Sequence, residues 1–209
     1  MDPMAIAGTW TVEPCVHYDN RGSFHEWLRG ADLSRALGYP FPVAQANCSV
    51  SYRGALRGIH FTDVPPGQAK YITCAAGMIL DVVVDLRAGS PTFGSFDAVQ
   101  LDDKNRRAVL ISEGLGHAFM VLSGQATVVY LCSRPYDPRI ERGVHPLDPR
   151  LGITWPEDIE PILSAKDAAA ADLQEAQRAG ILPSYEICLT FAARQREAAR
   201  VQGHAGGTP

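Results

Sequence analysis

KYITCAAGMILDVVVDL, residues 70–86, sets two apolar runs of strand length on either side of Gly77. The first run carries tyrosine, isoleucine and threonine and the second isoleucine and three valines, and β-branched and aromatic side chains suit a pleated, half-buried surface. Downstream, RAVLISEG (107–114), HAFMVLSG (117–124) and ATVVYLCS (126–133) have the same character. From about Thr9 to Pro156 short apolar runs are broken by Gly, Pro, Asn and Asp at close intervals. That rhythm predicts an all-β chain, an antiparallel sandwich or barrel. Helical periodicity in this region is confined to GADLSRALG, between Gly30 and Gly38.

After Trp155-Pro156 the composition changes. SAKDAAAADLQEAQRAG combines strong helix formers with a serine at its start and a glycine at its end, which predicts one helix over roughly Ala165 to Arg178. A second helix is expected in SYEICLTFAARQREAARVQ, and GHAGGTP is expected to fray. There is no internal repeat. The expectation is one domain over residues 1–209, with a barrel over about 9–156 and a helical segment over about 160–200.

The 209 residues can bury one sizeable core, and 46% hydrophobic with 20% charged residues is ordinary globular composition. Nineteen basic against twenty-three acidic side chains give a formal charge of −4, so there is no overall basic field to hold nucleic acid by its phosphates. The five cysteines (Cys15, Cys48, Cys74, Cys132, Cys188) are scattered and form no C-x-x-C pair, which suits free, mostly buried thiols in a reducing compartment. MDPMAIAGTW lacks the basic and apolar regions of a signal peptide, and nowhere do eighteen apolar residues run together. A soluble cytoplasmic protein without membrane partners is expected.

Several polar residues sit where chemistry is conceivable. In ALRGIHF, Arg57 and His60 have opposite strand parity and face opposite sides unless Gly58 marks a bulge. Alternation places His117 with Phe119 and Val121, and Tyr130 with Val128 and Cys132. Taken singly, each reads as a satisfied core residue. Lys70, at a strand start, reads by itself as a solvated edge charge. Ser164 and Asp167 read as a helix N-cap and a first-turn acid. A metal site is disfavoured, because His60 is followed by FTDVPPGQAK, with no neighbouring histidine and no glutamate at a ligand spacing.

DNRGSFHEW, QANCSVSYRGALRGIHF, PPGQAKY, DVVVDLRAGSPTFG, GLGHAFMVL, VVYLCSRPYDP and LDPRLGITWP, followed by LSAKD, together resemble the dTDP-4-dehydrorhamnose 3,5-epimerase family, over about Asp19 to Asp167. The resemblance implies a cupin jelly-roll barrel with short C-terminal helices, working as a homodimer without metal or other cofactor. It implies epimerisation of a dTDP-4-keto-6-deoxyhexose at C3, C5 or both. His60 would be the base, Asp167 its orienting carboxylate, Tyr130 the acid on the opposite face of the sugar, and Lys70 the cation near the C4 oxygen. Arg57 would bind the diphosphate and His117 support the pocket. Arg21, Phe24, Glu26, Gln45, Asn47 and Tyr136 would contact the nucleotide end, the Phe24–Glu26 pair commonly reaching across the dimer. YLCS and VHPLDP look closer to the branches that make antibiotic deoxysugars than to those making cell-wall rhamnose. A metal-dependent cupin oxygenase or isomerase and a non-catalytic nucleotide-sugar-binding cupin are the competing readings.

Overall fold

The computed structural model describes residues 1–205. The strands are β1 (Asp2–Pro3), β2 (Thr9–Val12), β3 (Val16–Asp19), β4 (Gly22–His25), β5 (Gln45–Tyr52), β6 (Leu56–Thr62), β7 (Lys70–Ala76), β8 (Met78–Val84), β9 (Phe96–Asp102), β10 (Ala108–Ile111), β11 (Gly116–Val121), β12 (Gln125–Cys132) and β13 (Glu141–Gly143). The helices are α1 (Gly30–Leu37), α2 (Ala165–Ala168), α3 (Leu173–Arg178) and α4 (Tyr185–Ala205). Two antiparallel sheets face each other, one in the order β1-β2-β10-β7-β12-β5 and the other β13-β6-β11-β8-β9, while β3 and β4 form a separate hairpin.

The opening stretch crosses between the two sheets. β7 belongs to the six-stranded sheet and β8 to the five-stranded one, and Gly77 makes the passage with φ +81. Side chains from both runs meet in the space between the sheets, where Ile72, Ile79, Val83, Leu101, Val109 and Val128 are 0% exposed. Full burial of such side chains is worth about 1.5–3 kcal/mol each, so this layer is the main driving force of the fold. The unbroken apolar run Val82–Val84 has a simple cause: both faces of β8 are covered. Val83 points into the inter-sheet core, while Val82 and Val84 pack outward with Ile59, Phe61, Leu151 and Leu173. On the far side, Tyr71 and Leu110 of the six-stranded sheet are covered by Leu33 and Leu37 of α1 and by Ala192 and Ala199 of α4.

The single helix expected over Ala165–Arg178 is instead two, α2 and α3. Asp172 accepts a hydrogen bond from the Glu175 N–H while the Glu175 side chain accepts from the Asp172 N–H, a capping box that starts α3 afresh. The Ala171 carbonyl between the helices accepts from the His145 N–H at 2.9 Å, so the barrel draws this backbone out of helical pairing. α4 runs through Ala205 and takes in the first residues of the expected frayed tail; residues 206–209 lie outside the described residues. No helix among the described residues is long and apolar enough to cross a membrane.

Gly58 settles the parity of Arg57 and His60. β6 pairs with β11 through His60 opposite His117 and Arg57 opposite Phe119, with the register shifting between them. Gly58 has φ +104, and a Cβ there would stand 2.4 Å from the His117 carbonyl oxygen. Any side chain must push β6 and β11 apart. Gly58→Ala is therefore expected to lower unfolding free energy by at least about 2 kcal/mol, read from urea denaturation, and to weaken ligand binding as well.

Candidate active site

Between the sheets lies a cavity of about 390 Å³ that both sheets line. Arg57 and His60 enter it from β6, His117 from β11, Lys70 from β7, Tyr130 from β12, and Gln45 and Asn47 from β5. Tyr136 and Asp167 complete the set from the following loops and helix. Lys70 is not an edge charge. β7 has β10 on one side and β12 on the other, with Lys70 paired to Ile111 and Cys132, so its side chain turns into the cavity.

His60 Nε2 lies 2.6 Å from Asp167 Oδ1, and its Nδ1 lies 3.9 Å from Glu141 Oε1. Asp167 is 5% exposed. Its second oxygen accepts from the Ser164 hydroxyl at 2.8 Å, and Ser164 Oγ in turn accepts the Asp167 N–H at 3.0 Å. The cap and dyad readings thus divide between two residues: Ser164 caps α2, and the Asp167 carboxylate is free to hold His60. Burial pushes the His60 imidazole below its ordinary value, against the Asp167 hydrogen bond and charge, with Lys70 lowering it further and Glu141 raising it.

Tyr130 approaches from the opposite sheet. Burial, helped by Cys132 and Glu141 and opposed by Arg57, pushes its phenol above the usual range, so it keeps its proton at neutral pH. His117 Nε2 lies 2.7 Å from Asp81 Oδ2, and Asp81 on β8 is fully buried. Arg57 Nε donates to Ser51 Oγ at 3.1 Å, which aims the guanidinium along β5. At the mouth, the Tyr136 N–H donates to Gln45 Oε1 and the Gln45 amide donates to Asn47 Oδ1, both at 2.8 Å.

Three expected site residues lie elsewhere in this chain. Arg21, Phe24 and Glu26 are carried on or beside the β3–β4 hairpin. Phe24 is 69% exposed, Arg21 pairs with Asp19, and Glu26 pairs with Arg29. Other residues lining the cavity or holding its walls escaped the sequence reading. Asp81 had a signal, a lone acid inside MILDVVVDL. Glu141 and Lys166 had none, because short local geometry turns them inward: Glu141 through the three-residue strand β13, Lys166 through the single turn of α2. Among the described residues no group of three or more His, Cys, Asp or Glu side chains is arranged to hold a metal ion.

The jelly-roll cavity thus sets a carboxylate-held imidazole on one wall and a protonated phenol on the other, an arrangement suited to proton transfer. A sequence profile of the dTDP-4-dehydrorhamnose 3,5-epimerase family matches residues 3–175. The chain belongs to that family. It is 55% identical over 188 residues to a dTDP-4-dehydrorhamnose 3,5-epimerase of Mycolicibacterium smegmatis, covering 90% of this chain and 92% of the relative. Among solved structures it resembles a double mutant of ChmJ, a 3'-monoepimerase from Streptomyces bikiniensis in complex with dTDP, in which a histidine is changed to asparagine and a tyrosine to phenylalanine. The TM-score is 0.93 at 52% identity, covering 95% of this chain and 100% of ChmJ. It also resembles NovW, a 4-keto-6-deoxy sugar epimerase from the novobiocin biosynthetic gene cluster of Streptomyces spheroides, with a TM-score of 0.87 at 53% identity over 90% of this chain and 94% of NovW. The cupin fold expected from the sequence is the fold of these structures.

The electrostatics of His60 yield a titration. A depressed pKa means that the neutral imidazole persists below pH 6.5. Followed by NMR, the His60 Cε1 proton should titrate with a midpoint below 6.5. Asp167→Asn removes a contribution that raises the pKa and should move the midpoint lower still; Lys70→Met removes one that lowers it and should move it up.

Proposed function

We propose that this protein epimerises a dTDP-4-keto-6-deoxyhexose at C3, C5 or both, by removing a proton next to the C4 ketone and returning one to the opposite face. One observation carries the reading: His60 stands on the five-stranded sheet and Tyr130 on the six-stranded sheet, both facing one cavity. A planar enolate held between the sheets has a base on one side and a phenol on the other. The replacement of a histidine and a tyrosine in the solved ChmJ mutant supports the same pairing.

The steps follow from the hydrogen bonds. With Asp167 ionised and His60 neutral, Nε2–H donates to the carboxylate and the Nδ1 lone pair accepts the C–H proton. As the electron pair moves onto the C4 oxygen, the positive charge of Lys70 stabilises the enolate more than the ketone, so the gain falls on the transition state. Tyr130 O–H then protonates the carbon from the other face. Exchange with water removes the proton from His60 and restores that of Tyr130.

Arg57, held by Ser51, has the fork geometry for the diphosphate, and Gln45, Asn47 and Tyr136 lie toward the nucleoside end. We assign Arg21, Phe24 and Glu26 to the cavity of a partner subunit in a homodimer; the exposure of Phe24 and Tyr18 on the hairpin supports that arrangement. Five unpaired cysteines favour the cytoplasm, and the likeness to NovW favours deoxysugar synthesis for a secondary metabolite.

Proton NMR of dTDP-4-keto-6-deoxyglucose in D₂O tests the reading by following the C3 and C5 proton signals separately. Loss of both signals marks a 3,5-epimerase and loss of one a mono-epimerase; no exchange at either carbon overturns the proposal. His60→Ala should abolish exchange, a loss of at least about 10²–10⁴-fold. Tyr130→Phe should keep exchange and lose inversion, and Arg57→Ala should raise KM with little change in kcat. Inversion by His60→Ala at the parent rate would remove His60 from the mechanism.

A further inference from the structure

On the outer side of the six-stranded sheet, away from His60, a tyrosine of an apolar cluster meets a half-buried glutamate. Tyr39, 6% exposed, donates its phenolic hydrogen to Glu113 Oε2 at 2.6 Å. Leu37, Phe41, Ala69 and Leu110 share the same packed cluster. Replacing both members of such a pair by apolar residues of similar volume costs little stability as a rule, so packing alone does not account for it.

The location supplies a reason. Glu113 sits in the turn after β10, and β10 pairs with β7 so that Ile111 stands opposite Lys70. The loop of residues 63–69, which delivers the chain to Lys70, rests on this turn: a Cβ on Gly67 would fall 2.6 Å from both Cβ and Cγ of Glu113. The loop has no slack between that stem and β7. Its exit is tied to the end of β12, because the Ala69 N–H donates to Ser133 Oγ at 2.8 Å, the Ser133 N–H donates to the Ala69 carbonyl at 2.9 Å, and the Gln68 amide donates to the Arg134 carbonyl at 2.9 Å. Beside the glutamate lies a crevice of about 140 Å³, lined also by Arg134, into which a carboxylate released by Tyr39 can swing, carrying its Cγ away from Gly67.

We propose that the Tyr39–Glu113 hydrogen bond is a positioning device for Lys70: it fixes the side-chain conformation on which the 63–69 loop is seated, and so fixes where β7 presents its lysine to the cavity. The inference rests on the reading that Lys70 serves the enolate oxygen. Tyr39 and Glu113 touch no substrate. Their effect therefore falls on turnover through Lys70 rather than on nucleotide binding.

The test is a set of variants assayed by deuterium exchange and inversion in D₂O, with thermal unfolding measured in parallel. Tyr39→Phe should lower kcat about tenfold, since small displacements of a charge-stabilising group are costly, and should change KM by less than roughly twofold. Glu113→Gln, which keeps an acceptor for the phenol, should retain most of the turnover. Tyr39→Phe/Glu113→Leu, with both polar partners gone, should regain the melting temperature but not kcat. In a Lys70→Met background, Tyr39→Phe should cause no further fall in kcat. Recovery of kcat together with melting temperature in the double variant would show a purely structural pair and overturn the proposal, as would a tenfold fall that persists without Lys70. If the parent protein epimerises and Tyr39→Phe turns over normally, this inference alone fails. If the parent exchanges neither proton, the enolate reading fails and the inference with it.

Discussion

The backbone of β6 lies against β11 with no room for a side chain at position 58, and much of the site follows from that contact. The missing Cβ lets Gly58 sit within reach of the His117 carbonyl at φ +104, and the register of the two strands slips by the amount needed to bring Arg57 and His60 to one face. His60 then stands directly across from His117. Without that slip a regular strand alternates, and the guanidinium and the imidazole point to opposite sides of a sheet.

The same two-sheet arrangement governs the electrostatics. Burial acts on His60 and Tyr130 alike, and in each it favours the uncharged form, the neutral imidazole and the protonated phenol. Those are the forms needed by a base and an acid working in neutral solution. The charged residues of the cavity adjust the balance, with Glu141 raising both groups while Lys70 lowers the imidazole and Arg57 the phenol. A cavity with cations and carboxylates interleaved suits a substrate that is anionic at its diphosphate and develops further negative charge only at the reacting carbonyl.

Much of the sheet architecture was legible because its signal is local. Runs such as VVV in β8 are long, β-branched and bounded by turn residues, and the structure buries both their faces. The helical segment was misread because its break depends on a contact invisible in composition: the His145 N–H claims the Ala171 carbonyl, and Asp172 begins a new helix. Within the site, regular strand parity set Arg57 and His60 apart, and Gly58 was the local sign of the irregularity that brings them together. Asp81 was announced by its oddity in an apolar strand. Glu141 belongs to a three-residue strand whose inward face is set by its partner β6, and nothing in RIERG marks it.

The hydrogen bond between His60 and Asp167 spans 107 residues of chain. Domains emerge from the ribosome amino-terminus first, and the barrel strands are all made before Ser164 and α2 exist. The imidazole is therefore made long before the carboxylate that it meets. The His60–Asp167 pair can close only when α2 docks onto the sheet that carries His60, so it is among the contacts that depend on the carboxy-terminal segment being in place.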